Sequence, residues 1–398
     1  MMTTYNFDEI IPRRGTHSAK HDYFDADVTP MSVAETDFKI APAIQDALRE
    51  RVEHGFFGYP TAFAELSDVI YQRMENLYNW MVQPEEIVYI PGVIPGFGVA
   101  IQMAGSAGDN VLMSTPIYPP FPMSTEARGR VVNSVELIRT VDAENRIHYT
   151  IDFDAFEAAI DDHTAIFTLC NPHNPIGRVW TREELTRMAE ICLRHDVLIC
   201  SDEIHADLTM PGYQHIPIAS LSPEIAQRTI TLSAPTKAFN LPGLACSFAI
   251  IQNEALRQQF NQTRALIVPH VGVATSIAAL AAYRDSQDWL EELRLYLDGN
   301  RRYIETFLRE ELPEICYTPV EATFLQWMDV GNFVTKPSGN EWIEPYFLRE
   351  ARVALNTGYV FGKGGEGFVR MNFGCPRAAL EIGLQRIKET IERARAVS

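Results

Sequence analysis

The chain predicts a doubly wound α/β domain followed by a smaller α+β domain. Two observations carry that expectation. Short β-rich runs recur through residues 45–283 with helical patterns between many of them, and alternating strand and helix is what a doubly wound sheet requires. Beyond residue 284 the pattern changes to long charged helices and a few short strands. The 398 residues are 46% hydrophobic, enough for a large core and for more than one domain.

In chain order the β-rich runs are "EIVYI" near 88, "NVLMS" at 110–114, "VVNSVEL" from 131, "AIFTLC" from 165, "VLICSD" from 197, "RTITLS" from 228 and "CSFAII" from 246. Several are almost continuously apolar, as strands buried on both faces are. "TREELTRMAEICLRHD" is the clearest helix. Thr181 and Glu184 fit a capping box, and Leu185, Met188, Ile191 and Cys192 share one face. These segments make up a large domain, 45–283. Residues 284–398, with the N-terminal segment 1–44, make up the small one. There "SQDWLEELRLYLDGNRRYIETFLREEL" predicts a long amphipathic helix, with Gly299 as a candidate break. "TFLQWMDV" and "FVRMNF" predict strands. No repeat or low-complexity segment is visible.

The net charge is −18, so the surface repels phosphate backbones and anionic lipid, and nucleic acid is excluded as a partner. The N-terminal residues lack the order of a signal peptide. Two long uncharged runs, 87–108 and 265–283, are interrupted by Pro-Gly or Pro-His and predict strand, loop and helix rather than membrane spans. The six cysteines are scattered without zinc spacing and read as reduced thiols of a cytoplasmic protein; no metal is expected.

In an open α/β domain the chemistry sits in loops after the strands. "AIFTLC" leads into "NPHNPIGRVW", "VLIC" into "SDEIHADL", "TITL" into "SAPTKAFNLPG" and "NVLMS" into "TPIYPPF". Lys237, read alone, is a loop lysine. At the end of a buried strand it becomes a desolvated amine suited to a Schiff base. Asp202, read alone, is a turn or cap residue. At a strand end it can be a buried partner for a cation such as a pyridinium. A lysine and a buried aspartate together are what pyridoxal phosphate requires. The two Asn-Pro pairs fix a loop that could aim the Asn174 amide at a phenolate oxygen.

With "NPHNPIG", "SDEIH" and "SAPTK" in this order, the chain resembles, over essentially its whole length, fold-type I pyridoxal-phosphate enzymes of the class I/II aminotransferase superfamily. Within it, "NFDEIIPRRGTHSAK", "HGFFGYP", "PGVIPGF", "DEIHADL", "HIPIASL" and "TKAFNLPGL" resemble the MalY/PatB group of cystathionine β-lyases. That resemblance implies a mostly parallel seven-stranded sheet. It implies that Lys237 is the Schiff-base lysine and then the acid/base at the substrate Cα, and that Asp202 holds the ring nitrogen protonated. Asn174 would bond the ring oxygen and help hold the carboxylate, and Tyr118 would lie over the ring. The amides of Val93 and Ile94 and the Thr236 hydroxyl would hold the phosphate, as amides at a helix start can. Tyr59 would reach the phosphate of a neighbouring subunit, implying a homodimer with shared active sites. Arg370 would bind the substrate carboxylate, and Ala34 would touch the substrate.

Three departures stand out. The position eight residues after the lysine, an arginine in many aminotransferases, is Ala245; this leaves the phosphate to amides, Thr236, Tyr59 and Ser233 or Asn240. Three residues after the aspartate, His205 stands where aspartate aminotransferases have a tyrosine; it is either a loop histidine or a ring contact. At 29–38 the group's "LPLWVADMDF" has become "TPMSVAETDF", which bears on substrate identity. Walker A, HExxH and GxSxG motifs are absent, and no GxGxxG follows a strand. The expected activity is carbon–sulfur β-elimination from a cysteine S-conjugate such as L-cystathionine. The alternatives are an aminotransferase and a catalytically idle regulatory protein.

Overall fold

The computed structural model describes residues 5–61, 63–265, 267–333 and 346–397. The seven β-rich runs form one sheet: β1 (Ile87–Ile90), β2 (Asn110–Thr115), β3 (Val131–Glu136), β4 (Thr164–Cys170), β5 (Leu198–Asp202), β6 (Thr229–Ser233) and β7 (Ser247–Ile250). Their order across the sheet is β1-β7-β6-β5-β4-β2-β3. Only β7 runs against its neighbours, pairing antiparallel with β1 and β6. The central strands β4, β5 and β6 are covered on both faces, which is why they read as largely apolar runs. Because β2, β4, β5 and β6 are parallel, their carboxyl ends open on one edge of the sheet.

Between the strands lie helices α1 (Val93–Met103) and α2 (Arg182–Arg194). The capping box of α2 forms as expected: Thr181 Oγ1 accepts from the Glu184 N–H at 3.2 Å, and Glu184 Oε2 accepts from the Thr181 N–H at 2.9 Å. Leu185, Met188, Ile191 and Cys192 are all buried. The apolar run from 87 resolves into β1, a turn and α1. The run from 265 becomes helix only at Val273, in α3 (Val273–Asp285); Leu266 lies outside the described residues. No helix among the described residues is long and apolar enough to cross a membrane.

One expectation fails. Helix α4 (Gln287–Glu311) passes through Gly299 without a break. A mid-helix glycine costs about 1 kcal/mol relative to alanine. Leu293, Leu297, Ile304 and Leu308, buried on both sides of it, hold the helix across that weak point. A second sheet packs nearby, with β8 (Cys316–Tyr317), β9 (Leu325–Asp329), β10 (Asn356–Thr357) and β11 (Phe368–Asn372) in the order β8-β9-β11-β10, before the final helix α5 (Arg377–Val397). Thr29–Pro30 pairs in parallel with Val353–Ala354, which carries the N-terminal segment past this sheet.

Candidate active site

The parallel strand ends converge on a cavity of about 240 Å³. It is lined by Ala34, Val93, Ile94, Tyr118, Asn174, Asp202, His205, Thr236 and Lys237, which are all but two of the residues singled out from the sequence. Arg370 joins them through Asn174. Tyr59 is fully exposed and does not line the cavity of its own chain.

Lys237 follows β6, and its Nζ donates to the carbonyl of Ala34 at 2.7 Å. Burial, with the Arg370 charge second, lowers the amine to about 8. That places it within reach of neutrality at ordinary pH, as a nucleophile or a base at carbon requires. Asp202 ends β5, is 4% exposed and accepts from the Ile204 N–H at 3.1 Å. Burial pushes its carboxyl up to about 7, against the opposing pull of that N–H and of Lys237. A carboxylate in this state gains from a cation placed against it.

Asn174 is fixed by its own turn, its N–H donating to Cys170 Sγ at 3.4 Å. His205 is 3% exposed, stands edge-on to Phe324, and leaves Nδ1 buried without a partner. Burial lowers its ring to about 3, so it is neutral. It therefore lines the cavity rather than filling a loop. Tyr118, just after β2, has its hydroxyl raised by burial.

At the start of α1, Gly92 adopts φ +117°, a conformation that favours glycine, and Val93 and Ile94, which open the helix, line the cavity. Ala245 lines the same space, so no cation stands there. Neither reserve partner expected from the sequence is available. Asn240 is engaged by the N-terminal segment, accepting from the Thr36 N–H at 3.2 Å and donating to the Phe38 carbonyl at 2.8 Å. Ser233 faces a separate small cavity with Thr231 and Tyr283. Ser247, not foreseen, lines the cavity instead, and its hydroxyl is buried without a partner. Its register opposite Ile90, at the end of β1, brings it to the α1 turn.

Arg370 lies on β11, 4% exposed. Its Nη1 donates to Asn174 Oδ1 at 3.0 Å, and its Nη2 to the Ser32 carbonyl at 3.2 Å and to Asn356 Oδ1 at 2.7 Å. Its guanidinium sits 4.9 Å from the centre of the Phe361 ring, and its Nε is buried without a partner. Burial lowers it to about 10, so it stays charged. The departures at 29–38 are also located. Ser32 meets Arg370 through its backbone, and Glu35 is taken up by Arg13 at 2.5 Å. Asp37 receives Arg13 and the fully buried Lys20, each at 2.7 Å. That network holds the segment carrying the Ala34 carbonyl.

This donor set fits a phosphorylated pyridine aldehyde. It offers a depressed amine, a buried carboxylate short of a cation, an unpartnered hydroxyl and an anion-binding helix start.

The profile of the aminotransferase class I and II family matches residues 26–387. The cystathionine β-lyase PatB of Bacillus subtilis (strain 168) is 38% identical over 395 residues, covering 97% of this chain and 100% of that protein. A PLP-bound putative aminotransferase from Clostridium difficile 630 superposes with a TM-score of 0.92 at 35% identity, covering 97% of this chain and 100% of that one. The PLP-bound C–S lyase from Staphylococcus hominis gives 0.91 at 32% identity, covering 98% and 99%. With the profile spanning the seven-stranded sheet, the second sheet and the cavity at the strand ends, the chain belongs to the aminotransferase class I and II family.

Proposed function

We propose that the protein is a pyridoxal-phosphate-dependent carbon–sulfur β-lyase acting on L-cystathionine or a related cysteine S-conjugate. The observation that carries this reading is the meeting of Lys237, Asp202, Asn174 and Arg370 around one cavity, with Ala245 in place of a phosphate-binding arginine. When bound, the cofactor supplies an aldehyde for amine exchange and a ring that takes up the electron pair left at Cα. Lys237 would hold it covalently, and Asp202 would pair with its ring nitrogen. Asn174 would donate to its ring oxygen, and Tyr118 would cover its face. The amides of Val93 and Ile94, with the hydroxyls of Thr236 and Ser247, would hold its phosphate.

Arg370 binds the substrate carboxylate and sets which Cα bond faces the ring. Lys237 removes the Cα proton. The thiolate leaves from Cβ and is protonated. The unsaturated amine that departs takes up water and yields pyruvate and ammonia, so the overall change is hydrolysis of the S-conjugate to thiol, pyruvate and ammonia. We place the protein in the cytoplasm as a homodimer, with Tyr59 of each subunit reaching the phosphate of the other; its full exposure in the single chain supports this.

The test is to supply L-cystathionine without a keto acid. Catalytic formation of pyruvate and thiol is the expected result. Amino transfer that appears only with a keto acid would replace this reading with that of an aminotransferase.

A further inference from the structure

Elsewhere in this chain the buried Arg130 is met by the backbone carbonyls of Gln102 and Gly105, while several half-buried arginines are matched to carboxylates. Arg73 meets Asp207, Arg13 meets Glu35 and Asp37, and Arg301 meets Asp298 and Glu305. Arg370 is buried more deeply than any of these, yet every oxygen its side chain reaches is neutral: two amides and a backbone carbonyl. The shortest contact, 2.7 Å, comes from Asn356, directly opposite Arg370 across the β10–β11 ladder. A buried charge is normally paired. Holding this one with dipoles alone fixes its direction and leaves its charge unspent.

We propose that Asn356 is a specificity-determining positioning residue, whose neutral amide aims the Arg370 guanidinium while leaving its full charge for the α-carboxylate of the substrate. The proposal rests on the reading of Arg370 as the carboxylate site. Aspartate at 356 would have almost the same shape and the same acceptor oxygen. It would differ by one negative charge, and so would occupy the guanidinium from within the protein.

The experiment uses the holoenzyme, with L-cystathionine as substrate and propionate, a carboxylate without an amine, as competitive inhibitor. N356D is expected to raise the KM and the propionate inhibition constant by about tenfold or more, since a charge-assisted contact is displaced. N356A, which removes the aim without adding charge, is expected to raise both by about threefold. The visible absorbance of the lysine-bound cofactor is expected to stay as in the wild type in N356A. If Asn356 served only to support the fold, the isosteric N356D would be the milder change, and that order overturns the proposal. Wild-type constants in N356A overturn it independently, even if N356D fails to fold. R370M separates the two levels. If R370M leaves both constants unchanged, the carboxylate reading of Arg370 fails and the proposal with it. If R370M raises them while N356D does not, the reading of Arg370 stands and the role of Asn356 falls.

Discussion

Replacing Asp202 with asparagine should alter how the stability of the cofactor-free protein depends on pH. The folded protein raises the Asp202 carboxyl from 3.8 to about 7, chiefly by burial. Its folded form therefore binds a proton more tightly than its unfolded form. Stability falls as pH rises through the interval between the two values, roughly pH 4 to 7, and the loss is complete above about 7. At about 1.4 kcal/mol for each pH unit, that interval corresponds to about 4 kcal/mol. Two neutral histidines work the other way. His205 and His173 are lowered by burial to about 3 and about 4, so they add stability as pH rises towards 6.5. Lys237 contributes no slope in this window, because its amine is charged in both states below about 8. The histidines are the same in the wild type and in D202N, while Lys237 loses the Asp202 charge that raises its amine, so the difference between the two reads Asp202 together with its pull on Lys237. The assay is thermal melting of cofactor-free protein at pH 5, 6, 7 and 8. D202N is expected to gain on the wild type by about 3 kcal/mol between pH 5 and pH 8, the part of the interval these pH values sample, or about 3–6 °C for a chain of this size. Parallel curves would refute the argument that burial strands this carboxyl without a cation.

Three further outcomes are expected. Lys237→Ala should abolish turnover while the cofactor still binds without its lysine-linked absorbance; full activity in that variant would remove the assignment of Lys237. Ala245→Arg should place a cation in the cavity beside the α1 turn and slow loss of the cofactor on dialysis by about 10-fold or more, the scale of one charge-assisted hydrogen bond. Unchanged retention would show that the phosphate does not lie there. Thr181→Ala should remove the side-chain half of the α2 capping box and lower stability by about 1 kcal/mol, read from denaturant midpoints, with activity unchanged.

What was legible in the sequence was local. Most strands of the large sheet are short runs rich in adjacent apolar residues, and the helix cap is a pair three residues apart. The chemistry was legible for the same reason. A parallel sheet puts its working loops directly after its strands, so Asn174, Asp202 and Lys237 each sit within a few residues of a strand end. What was not legible depends on register between distant segments. Ser247 reaches the cavity beside the α1 turn only because β7 runs antiparallel and begins opposite the end of β1. Asn356 faces Arg370 only through the β10–β11 ladder. Asn240 looked like a phosphate partner from its nearness to Lys237, but the N-terminal segment, more than two hundred residues away in sequence, had already claimed its side chain.

The departures at 29–38 follow the same logic. By side chain, this stretch differs from the group it resembles, with Ser32 and Glu35 in place of tryptophan and aspartate. Its contacts with the site are nevertheless made by backbone. The Ser32 carbonyl accepts from Arg370, and the Ala34 carbonyl accepts from Lys237. Glu35 turns to Arg13, and Lys20 donates to the Glu35 carbonyl at 3.1 Å while pairing with Asp37. The side chains that changed therefore lie outside the hydrogen bonds holding the amine and the guanidinium. A carbonyl carries no residue-type signature, so a sequence comparison registers a change here where the geometry keeps the contact. Substitutions in this stretch can vary the surroundings of the distal part of a substrate while Lys237 and Arg370 keep their places. The exception is a change that breaks the Arg13–Glu35–Asp37–Lys20 network, which would move the Ala34 carbonyl and with it the amine.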